Sequence, residues 1–475
     1  MAAHCFDATT FVGPCNHKAR GQHHNPPAPG RSHYLKIKRK QVCNKFFIGM
    51  KRIHIILLLA VTYGEAKKSS DDRQMDDFIT SLMKKMTLEE KIGQLNLGGV
   101  GSPKVVGSAI GLDEAIRKGL VSSVGGFDAK AAEDAQKFAV ENSRMKIPLI
   151  TGLDVVHGYY TIFPIPLASA CSWNMPLLEE SARVAADEAS AFGINWTFAP
   201  MVDICRDPRW GRIAEGAGED PCLGSRIGRA MVRGFQGDDL SKPNTLLACV
   251  KHFALYGASE AGRDYNTVSM DPVTMYNYYL PPYKAAFDEG AGSGMTSFNV
   301  VNGVPATGNK WLLTDLLRDQ WKFKGFMVSD ANSLAEMSEH GMGGAQRITE
   351  LAMNAGLDMD MSSSLYVLCL KKAVEEKRVP LSRIDAACRR VLEAKYKLGL
   401  FEDPFRYLKN KQRQSQVLSP QNRDVARRLA AESIVLLKNS EQLLPITPPR
   451  KIAVVGPMGN VRDARSQLYR RLLYI

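Results

Sequence analysis

Three apolar segments that each end in charged residues constrain the fold of this chain more than any other feature. The charged residues are Asp154, after residues 148–153; Lys251 and His252, after residues 246–250; and Asp330, after residues 325–329. Short apolar runs of this kind are typical of strands buried on both faces of a parallel sheet. The carboxyl ends of such strands meet at one rim of an α/β barrel. The sequence therefore predicts that these side chains share that rim.

Strand patterns alternate with amphipathic helix patterns along most of the chain. Further strands are predicted at residues 121–125, 195–199, 295–298 and 356–359. Helices are predicted at residues 176–191, 275–289, 315–320, 381–398 and 424–437. Thr87 and Glu90 have the spacing of a capping box that opens an earlier helix. Regular alternation predicts an α/β fold of the (β/α)8 TIM-barrel type.

The positive charge of the chain is concentrated at its two ends. The 475 residues carry a formal net charge of +13. Residues 1–49 contain eight Lys or Arg against one acidic residue, and the last fourteen residues contain four Arg against one Asp. Because the body is close to neutral, no nucleic-acid partner is predicted. The nine cysteines show no CxxC spacing, so neither a zinc site nor a disulfide framework is indicated.

A candidate export signal begins at a second methionine, Met50. Two basic residues follow it, then an apolar run at 53–61 and a small-x-small arrangement at 64–66. This pattern predicts a signal peptide at residues 50–66 and a periplasmic or secreted protein. Residues 1–49 are then a disordered upstream extension of doubtful reality. The apolar run is too short to span a bilayer, so an integral membrane protein is not predicted.

The C-terminal region predicts the beginning of a second domain. Residues 401–450 have the composition of an interdomain linker, and residues 452–457 resemble an apolar strand. Only eighteen residues follow Pro457, which is too few for a domain. We therefore expect residues 451–475 to be the truncated start of a second α/β sandwich domain.

Two of the strand-end positions have both functional and structural interpretations. A partly desolvated carboxylate such as Asp330 could attack an electrophilic carbon and hold a covalent ester. It could equally cap the helix that follows, since Asp is a favoured N-cap. Lys251 and His252 could hold neighbouring hydroxyl groups of a ligand, or could be a salt bridge beside a core histidine.

The loop at residues 203–215 mixes three Arg, two Asp, one Glu and one Trp. We expect its charges to pair internally, with one Arg left to face a ligand and with Trp210 presenting an apolar face to a ring. The chain has no P-loop, no GxGxxG after a strand and no HExxH motif. No nucleotide, metal or other cofactor is therefore predicted.

Four ordered motifs closely resemble glycoside hydrolase family 3, in particular its bacterial periplasmic β-glucosidases. The motifs lie at residues 152–158, 206–212, 251–253 and 328–330, and the resemblance extends from about residue 76 to residue 463. It implies a TIM-barrel catalytic domain at residues 67–400 and a retaining mechanism. By position it implies a nucleophile and a set of sugar-binding residues. These are Asp330 as the nucleophile; Asp154, Arg212, Lys251 and His252 as sugar ligands; and Met295 as an apolar wall.

The chain departs from the family pattern at two places. The residue after Asp330, often aromatic or His in relatives, is Ala331, which enlarges the pocket and leaves the aglycone preference open. Two-domain relatives take their acid/base Glu from the second domain, whereas single-domain N-acetylglucosaminidases carry a His-Asp pair after the Lys-His motif. Tyr256 stands here where that His would be. We therefore expect hydrolysis to lack general acid assistance.

The sequence thus predicts a retaining β-glucosidase that acts on terminal non-reducing β-D-glucosyl residues of a β-glucoside or oligosaccharide. Alternatives are β-xylosidase specificity and a catalytically dead sugar-binding barrel. A lyase or aldolase that forms a Schiff base on Lys251 is a further alternative from another enzyme class. The sequence makes no prediction of oligomeric state.

Overall fold

A computed structural model of the chain describes residues 70–99, 111–125, 129–409, 411–447 and 451–455. The predicted signal peptide and the upstream extension lie outside the described residues. Across the described ranges, none of the helices combines the length and the apolarity that a membrane crossing requires.

Ten short strands are present in the described residues. They are β1 (Asn96–Gly99), β2 (Ser123–Gly125), β3 (Ile150–Leu153), β4 (Trp196–Thr197), β5 (Cys249–Phe253), β6 (Ser293–Thr296), β7 (Val300–Val301), β8 (Val304–Pro305), β9 (Phe326–Val328) and β10 (Asp360–Met361). Two parallel sheets form, with strand orders β10-β1-β2-β3-β4 and β5-β6-β9. Strands β7 and β8 form a separate antiparallel pair.

Single parallel bridges join the two sheets into a closed ring. Trp196 pairs with Leu247 between β4 and the residues before β5, and Val328 pairs with Met359 between β9 and the residues before β10. The eight strands thereby follow one another around a barrel in chain order. The predicted (β/α)8 architecture is confirmed. Closure also leaves no unpaired sheet edge in the ring.

Helices surround this ring of strands. The main α-helices are Ser70–Lys85, Leu88–Gly93, Leu112–Arg117, Ala129–Asn142, Pro166–Ala170, Met175–Ser190, Pro221–Gln236, Pro281–Asp288, Ala345–Ala355, Leu365–Glu375, Leu381–Lys397 and Pro420–Glu432. Shorter α-helical turns lie at Pro272–Thr274, Ser333–Glu336 and Lys411–Gln414, and π-helical segments at Met275–Tyr279 and Trp311–Gln320. The capping box is confirmed: Glu90 N donates to Thr87 Oγ1 at 3.2 Å, and Thr87 N donates to Glu90 Oε2 at 2.9 Å.

The barrel interior is filled by large side chains. Trp196 is fully buried, with its ring centroid 4.8 Å from that of Phe198 and 5.2 Å from that of Phe326. Its indole Nε1 donates to Ser293 Oγ at 2.8 Å, so the polar atom of this buried ring is satisfied. A Cβ atom added at Gly152 would lie only 2.7 Å from the Phe198 ring, so the close packing here requires glycine. The rim is therefore supported by a packed core and not by an open pore.

Several predicted boundaries are wrong. The strand predicted at 246–250 is β5 at Cys249–Phe253, so Lys251 and His252 lie within the strand and not after its end. Strand β1 was not predicted. The last predicted helix ends at Glu432, five residues early, and residues 434–437 are exposed. Residues 451–455 form no strand in the structure. The domain boundaries predicted around them remain predictions.

Candidate active site

Asp330 projects from the carboxyl end of β9 into a cleft at the barrel rim. Its Oδ1 accepts a hydrogen bond from Ala331 N at 2.7 Å, whereas its Oδ2 has no hydrogen-bond partner among the described residues. The next helix begins at Ser333 with Asn332 as its N-cap. The capping interpretation of Asp330 is therefore wrong, and Oδ2 is a buried carboxylate oxygen to which no described residue donates a hydrogen bond.

Hydrogen bonds to the neighbouring strand β10 hold this turn in place. Met361 N donates to Ser329 Oγ at 2.9 Å, and Asn332 N donates to Met361 O at 3.1 Å. Asp330 is thus flanked on both sides by residues bonded to β10. Such anchoring fixes a reacting group more firmly than packing alone.

Lys251 and Asp154 form an ion pair across the rim. Lys251 Nζ lies 2.6 Å from Asp154 Oδ1; the lysine side chain is 5% exposed and the aspartate side chain 37%. Burial lowers the pKa of Lys251, but the charges of Asp154 and Glu215 more than offset it, so the pKa lies above its ordinary value. The ammonium stays charged, which disfavours the Schiff-base alternative because that chemistry requires a neutral amine.

His252 lies between Asp203 and Asp330. Its Nδ1 is 2.8 Å from Asp203 Oδ2, and its Nε2 is 2.9 Å from Arg212 Nη2 and 3.5 Å from Asp330 Oδ2. Burial, and then the charges of Arg212 and Lys251, lower the pKa of His252 well below its ordinary value. A neutral imidazole therefore stands beside the nucleophile candidate.

The loop at 203–215 places Arg212 in the cleft and buries Trp210. Arg212 forms a bidentate pair with Glu215 at 2.7 and 3.0 Å, and Arg209 pairs with Asp207. The predicted internal pairing is confirmed. The predicted role of Trp210 as an apolar face for a ligand is wrong, because its side chain is only 1% exposed.

The cleft has a volume of about 320 Å³, in the range of small-molecule sites. Its lining includes Asp154, Arg212, Glu215, Lys251, Asp330 and Ala331, with an aromatic wall of Tyr265 and Phe298. Four of the predicted site residues, Asp154, Arg212, Lys251 and Asp330, therefore lie together, with His252 in contact beneath them. Met295 is buried in the main core, and its role as a pocket wall stays a prediction.

Charge pairing singles out one carboxylate of the cleft. Asp154 is paired with Lys251 and Glu215 with Arg212, whereas Asp330 forms no salt bridge with a Lys or Arg among the described residues; its direct contacts are a neutral histidine and a backbone N–H. Burial raises the pKa of Asp330 to about 6, against the opposing effect of the Arg212 and Lys251 charges and of the Ala331 N–H. A desolvated carboxylate without a paired cation is suited to attack on carbon.

Asp203 and Tyr283 are buried members of the site that the sequence did not identify. Tyr283 Oη is within hydrogen-bond distance of both Asp203 Oδ1 and His252 O. Asp203 was visible only as one charge in a mixed loop, and Tyr283 only as part of a further motif of the family resemblance, at residues 281–285, to which no role was assigned. The apolar residues 201–202 before Asp203 are the signal that could have placed it at a strand end.

Comparisons with known proteins give a consistent set of relatives. The family model described as "Glycosyl hydrolase family 3 N terminal domain" matches residues 87–394. A periplasmic beta-glucosidase of Salmonella typhimurium is 43% identical over 394 residues, which cover 81% of this chain and 51% of that protein. A putative beta-xylosidase of Formosa agariphila is 32% identical over 434 residues, covering 86% and 57%.

Solved structures show the same likeness. A beta-glucosidase from Listeria innocua in complex with isofagomine has a TM-score of 0.74 at 43% identity, covering 78% of this chain and 52% of that one. A mutant of that enzyme in complex with laminaribiose has a TM-score of 0.77 at 41% identity, covering 82% and 55%. The chain thus spans about half the length of the curated relatives and solved structures that it matches.

Proposed function

Because the chain belongs to glycosyl hydrolase family 3, we propose that it forms the catalytic barrel of a retaining β-glucosidase. The substrate is a terminal, non-reducing β-D-glucosyl residue. The observation that carries the proposal is Asp330, a carboxylate that lines the cleft and that forms no salt bridge with a Lys or Arg among the described residues. The names of the Salmonella and Listeria relatives support the choice of a β-glucoside.

In this mechanism the Asp330 carboxylate attacks the anomeric carbon while the bond to the aglycone oxygen breaks. The departing oxygen takes up a proton, and a glycosyl ester remains on Asp330. Water then attacks the same carbon, transfers a proton to a base and releases the sugar with its configuration retained. Asp154, Arg212 and Lys251 hold sugar hydroxyls at the rim, where hydrogen bonds to the transition state contribute most.

The proton donor for this reaction is not evident in the described cleft. Its carboxylates other than Asp330, namely Asp154 and Glu215, are each engaged by a cation. We therefore propose that the described barrel supplies the nucleophile and the sugar ligands without a general acid of its own. General acid assistance typically contributes 10²- to 10⁴-fold in rate, so activated aryl glucosides should greatly outperform alkyl glucosides.

The first test is covalent labelling with 2,4-dinitrophenyl 2-deoxy-2-fluoro-β-glucoside. The leaving group of this reagent needs no acid, and its fluorine slows release, so labelling reports the nucleophile alone. We expect one fluoroglucosyl group on the peptide that contains Asp330. Asp330→Asn should abolish the label, whereas Asp288→Asn, on a surface helix away from the cleft, should not. An unlabelled but cooperatively folded protein would favour the dead sugar-binding barrel.

A β-xyloside is the second candidate substrate. The Formosa agariphila relatives named as beta-xylosidases favour it, since one of them is 32% identical over most of this chain. Parallel labelling with the fluoroxyloside reagent separates the two. Faster inactivation by the xyloside at equal concentration would assign the chain to the xylosidases.

We also propose that the protein is exported. The periplasmic relative from Salmonella typhimurium and the signal predicted at residues 50–66 support this location. A fusion of residues 50–66 to a reporter that is active only outside the cytoplasm tests it. A reporter that stays inactive would contradict export by this segment.

A further inference from the structure

Asp203 is a fully enclosed carboxyl group with an unusual set of partners. Its Oδ2 lies 2.9 Å from His252 N and 2.8 Å from His252 Nδ1, and its Oδ1 lies 2.5 Å from Tyr283 Oη. The same Tyr283 Oη lies 2.8 Å from His252 O. Asp203 and His252 side chains are each 0% exposed, so solvent does not complete this network.

The contact with Arg212 fixes the protonation state of His252. Arg212 Nη2 lies 2.9 Å from His252 Nε2, and a guanidinium nitrogen can only donate. Nε2 must therefore accept, and the single ring proton is on Nδ1, directed at Asp203. It follows that His252 is neutral, so its imidazole ring does not provide Asp203 with a positively charged partner.

Counting hydrogens decides the state of Asp203. Tyr283 has one hydroxyl hydrogen, but two acceptors lie within its reach if Asp203 is ionised, so one contact would be unsatisfied. An ionised Asp203 would also be a buried charge whose direct partners are all neutral, which is costly. If Oδ1 carries a proton, Asp203 donates to Tyr283 Oη, Tyr283 donates to His252 O, and Oδ2 accepts both His252 N–H groups. All four contacts are then satisfied.

We infer that Asp203 is held as a neutral carboxylic acid and acts as a positioning residue, which keeps His252 in the tautomer whose bare Nε2 faces Arg212 and Asp330. The charged groups that face Asp203 are Arg212 and Glu215, which pair with each other. Burial raises the pKa of Asp203 to about 7, against the opposing hydrogen bonds from Tyr283 and His252 N, in agreement with a protonated state below neutrality.

Two substitutions separate this inference from an ordinary charged pair. Asp203→Asn replaces the proposed acid by a neutral amide of the same shape, whose NH₂ can donate to Tyr283 and whose oxygen can accept from His252. Asp203→Ala removes both functions. A neutral acid predicts rescue by Asn, with labelling at least about tenfold faster than for the Ala variant, since an unsatisfied buried donor costs of that order. If Asp203 must instead be ionised, Asp203→Asn and Asp203→Ala should both label equally slowly.

The direct test is NMR at pH 6 on the full chain labelled with ¹⁵N-histidine and ¹³C-carboxyl aspartate. We expect a protonated Asp203 carboxyl, identified by its loss in Asp203→Asn, and His252 with Nδ1 protonated and Nε2 bare in both proteins. A carboxylate signal from Asp203, or a proton on Nε2, would overturn the inference. Both NMR signals are read without turnover, so they test the inference even if the proposed function is wrong. The labelling comparison, in contrast, depends on the proposed function.

The pH profile gives a readout that loss of packing would not move. Wild-type labelling should decline above about pH 7, where Asp203 ionises, and Asp203→Asn should lack that decline. A cooperative melt confirms that each variant is folded. A wild-type profile that stays flat above pH 7, in a protein that does label, would contradict a functional neutral acid.

Discussion

The raised pKa of Asp330 predicts the acid side of the labelling profile. Only the ionised carboxylate attacks carbon, and burial raises its pKa to about 6. At pH 5 about one tenth of the molecules then carry the carboxylate, and at pH 7 about nine tenths. In Asp203→Asn, which lacks the Asp203 titration, we therefore expect the labelling rate to fall about tenfold between pH 7 and pH 5; in the wild type, where Asp203 is half ionised at pH 7, the fall should be about fivefold. An aspartate with an ordinary pKa near 3.9 would lose only about a tenth of its rate.

The assay is the initial rate of dinitrophenol release, or of mass gain, with the fluoroglucoside reagent over this pH range. Because the reagent needs no general acid, the fall in labelling rate at low pH (the acid limb of the profile) reports protonation of Asp330. A melting curve at each pH controls for unfolding. A limb with its midpoint below about pH 5 would refute the argument that burial outweighs the two nearby cations.

Removing a cation should move the limb in a known direction. Lys251 lowers the pKa of Asp330, so Lys251→Met should shift the midpoint upward, whatever it does to the maximal rate. The loss also leaves Asp154 unpaired, and a second negative charge acts in the same direction. A midpoint that stays in place or falls would show that the limb reports some other group.

The raised pKa of Asp330 also predicts that ionisation of this residue destabilises the fold. The native carboxyl binds its proton more tightly than the unfolded one, so the free energy of unfolding falls as pH rises from about 4 to about 6. Two pKa units correspond to about 3 kcal/mol as an upper bound. Asp330→Asn should therefore stabilise the protein at pH 7 and flatten that slope in urea unfolding. A less stable variant would contradict this.

Three further variants test the fold by the same urea titration. Burial lowers the pKa of Lys395 to about 7, so stability should rise between pH 7 and about 10.5; Lys395→Met should remove that rise and add on the order of 2 kcal/mol at neutral pH. Gly234→Ala would place a Cβ 2.4 Å from a backbone oxygen and should cost about 2 kcal/mol, whereas the control Gly344→Ala, with open space, should cost little. Thr87→Ala should cost about 1 kcal/mol through loss of the capping box.

The barrel and most of its rim could be predicted because both depend on local patterns. Apolar runs bounded by polar residues mark strands buried on both faces, and the order of those strands fixes which side chains meet. Asp154 and Asp330 were placed correctly on this basis. Strand β1, Asn96–Gly99, carries two glycines and no β-branched residue, so its pairing on both sides, and not its composition, makes it a strand.

The remaining features depend on tertiary contacts. Lys251 and His252 were placed beyond a strand end, whereas they lie inside β5, where its pairing with β6 shifts register between Val250 and Phe253. Trp210 is an aromatic residue in a charged loop, and only the fold shows that its Nε1 donates to Asp264 at 2.9 Å from a buried position. Sequence spacing carries no information on such pairings between distant segments.

The contact between Ala331 and Asp330 has a consequence for how this cleft can diversify. The hydrogen bond to the Asp330 carboxylate comes from the backbone N–H of residue 331, while the Ala331 side chain is exposed and lines the cleft. Any residue except proline supplies that N–H. Position 331 can therefore change its side chain, and with it the shape offered to the departing group, without altering the bond that holds the reacting oxygen pair. The side chain of residue 331 therefore affects which leaving group fits the cleft, whereas its backbone N–H affects the reactivity of Asp330. Substitutions at this position can change substrate selectivity while the hydrogen bond to Asp330 is retained.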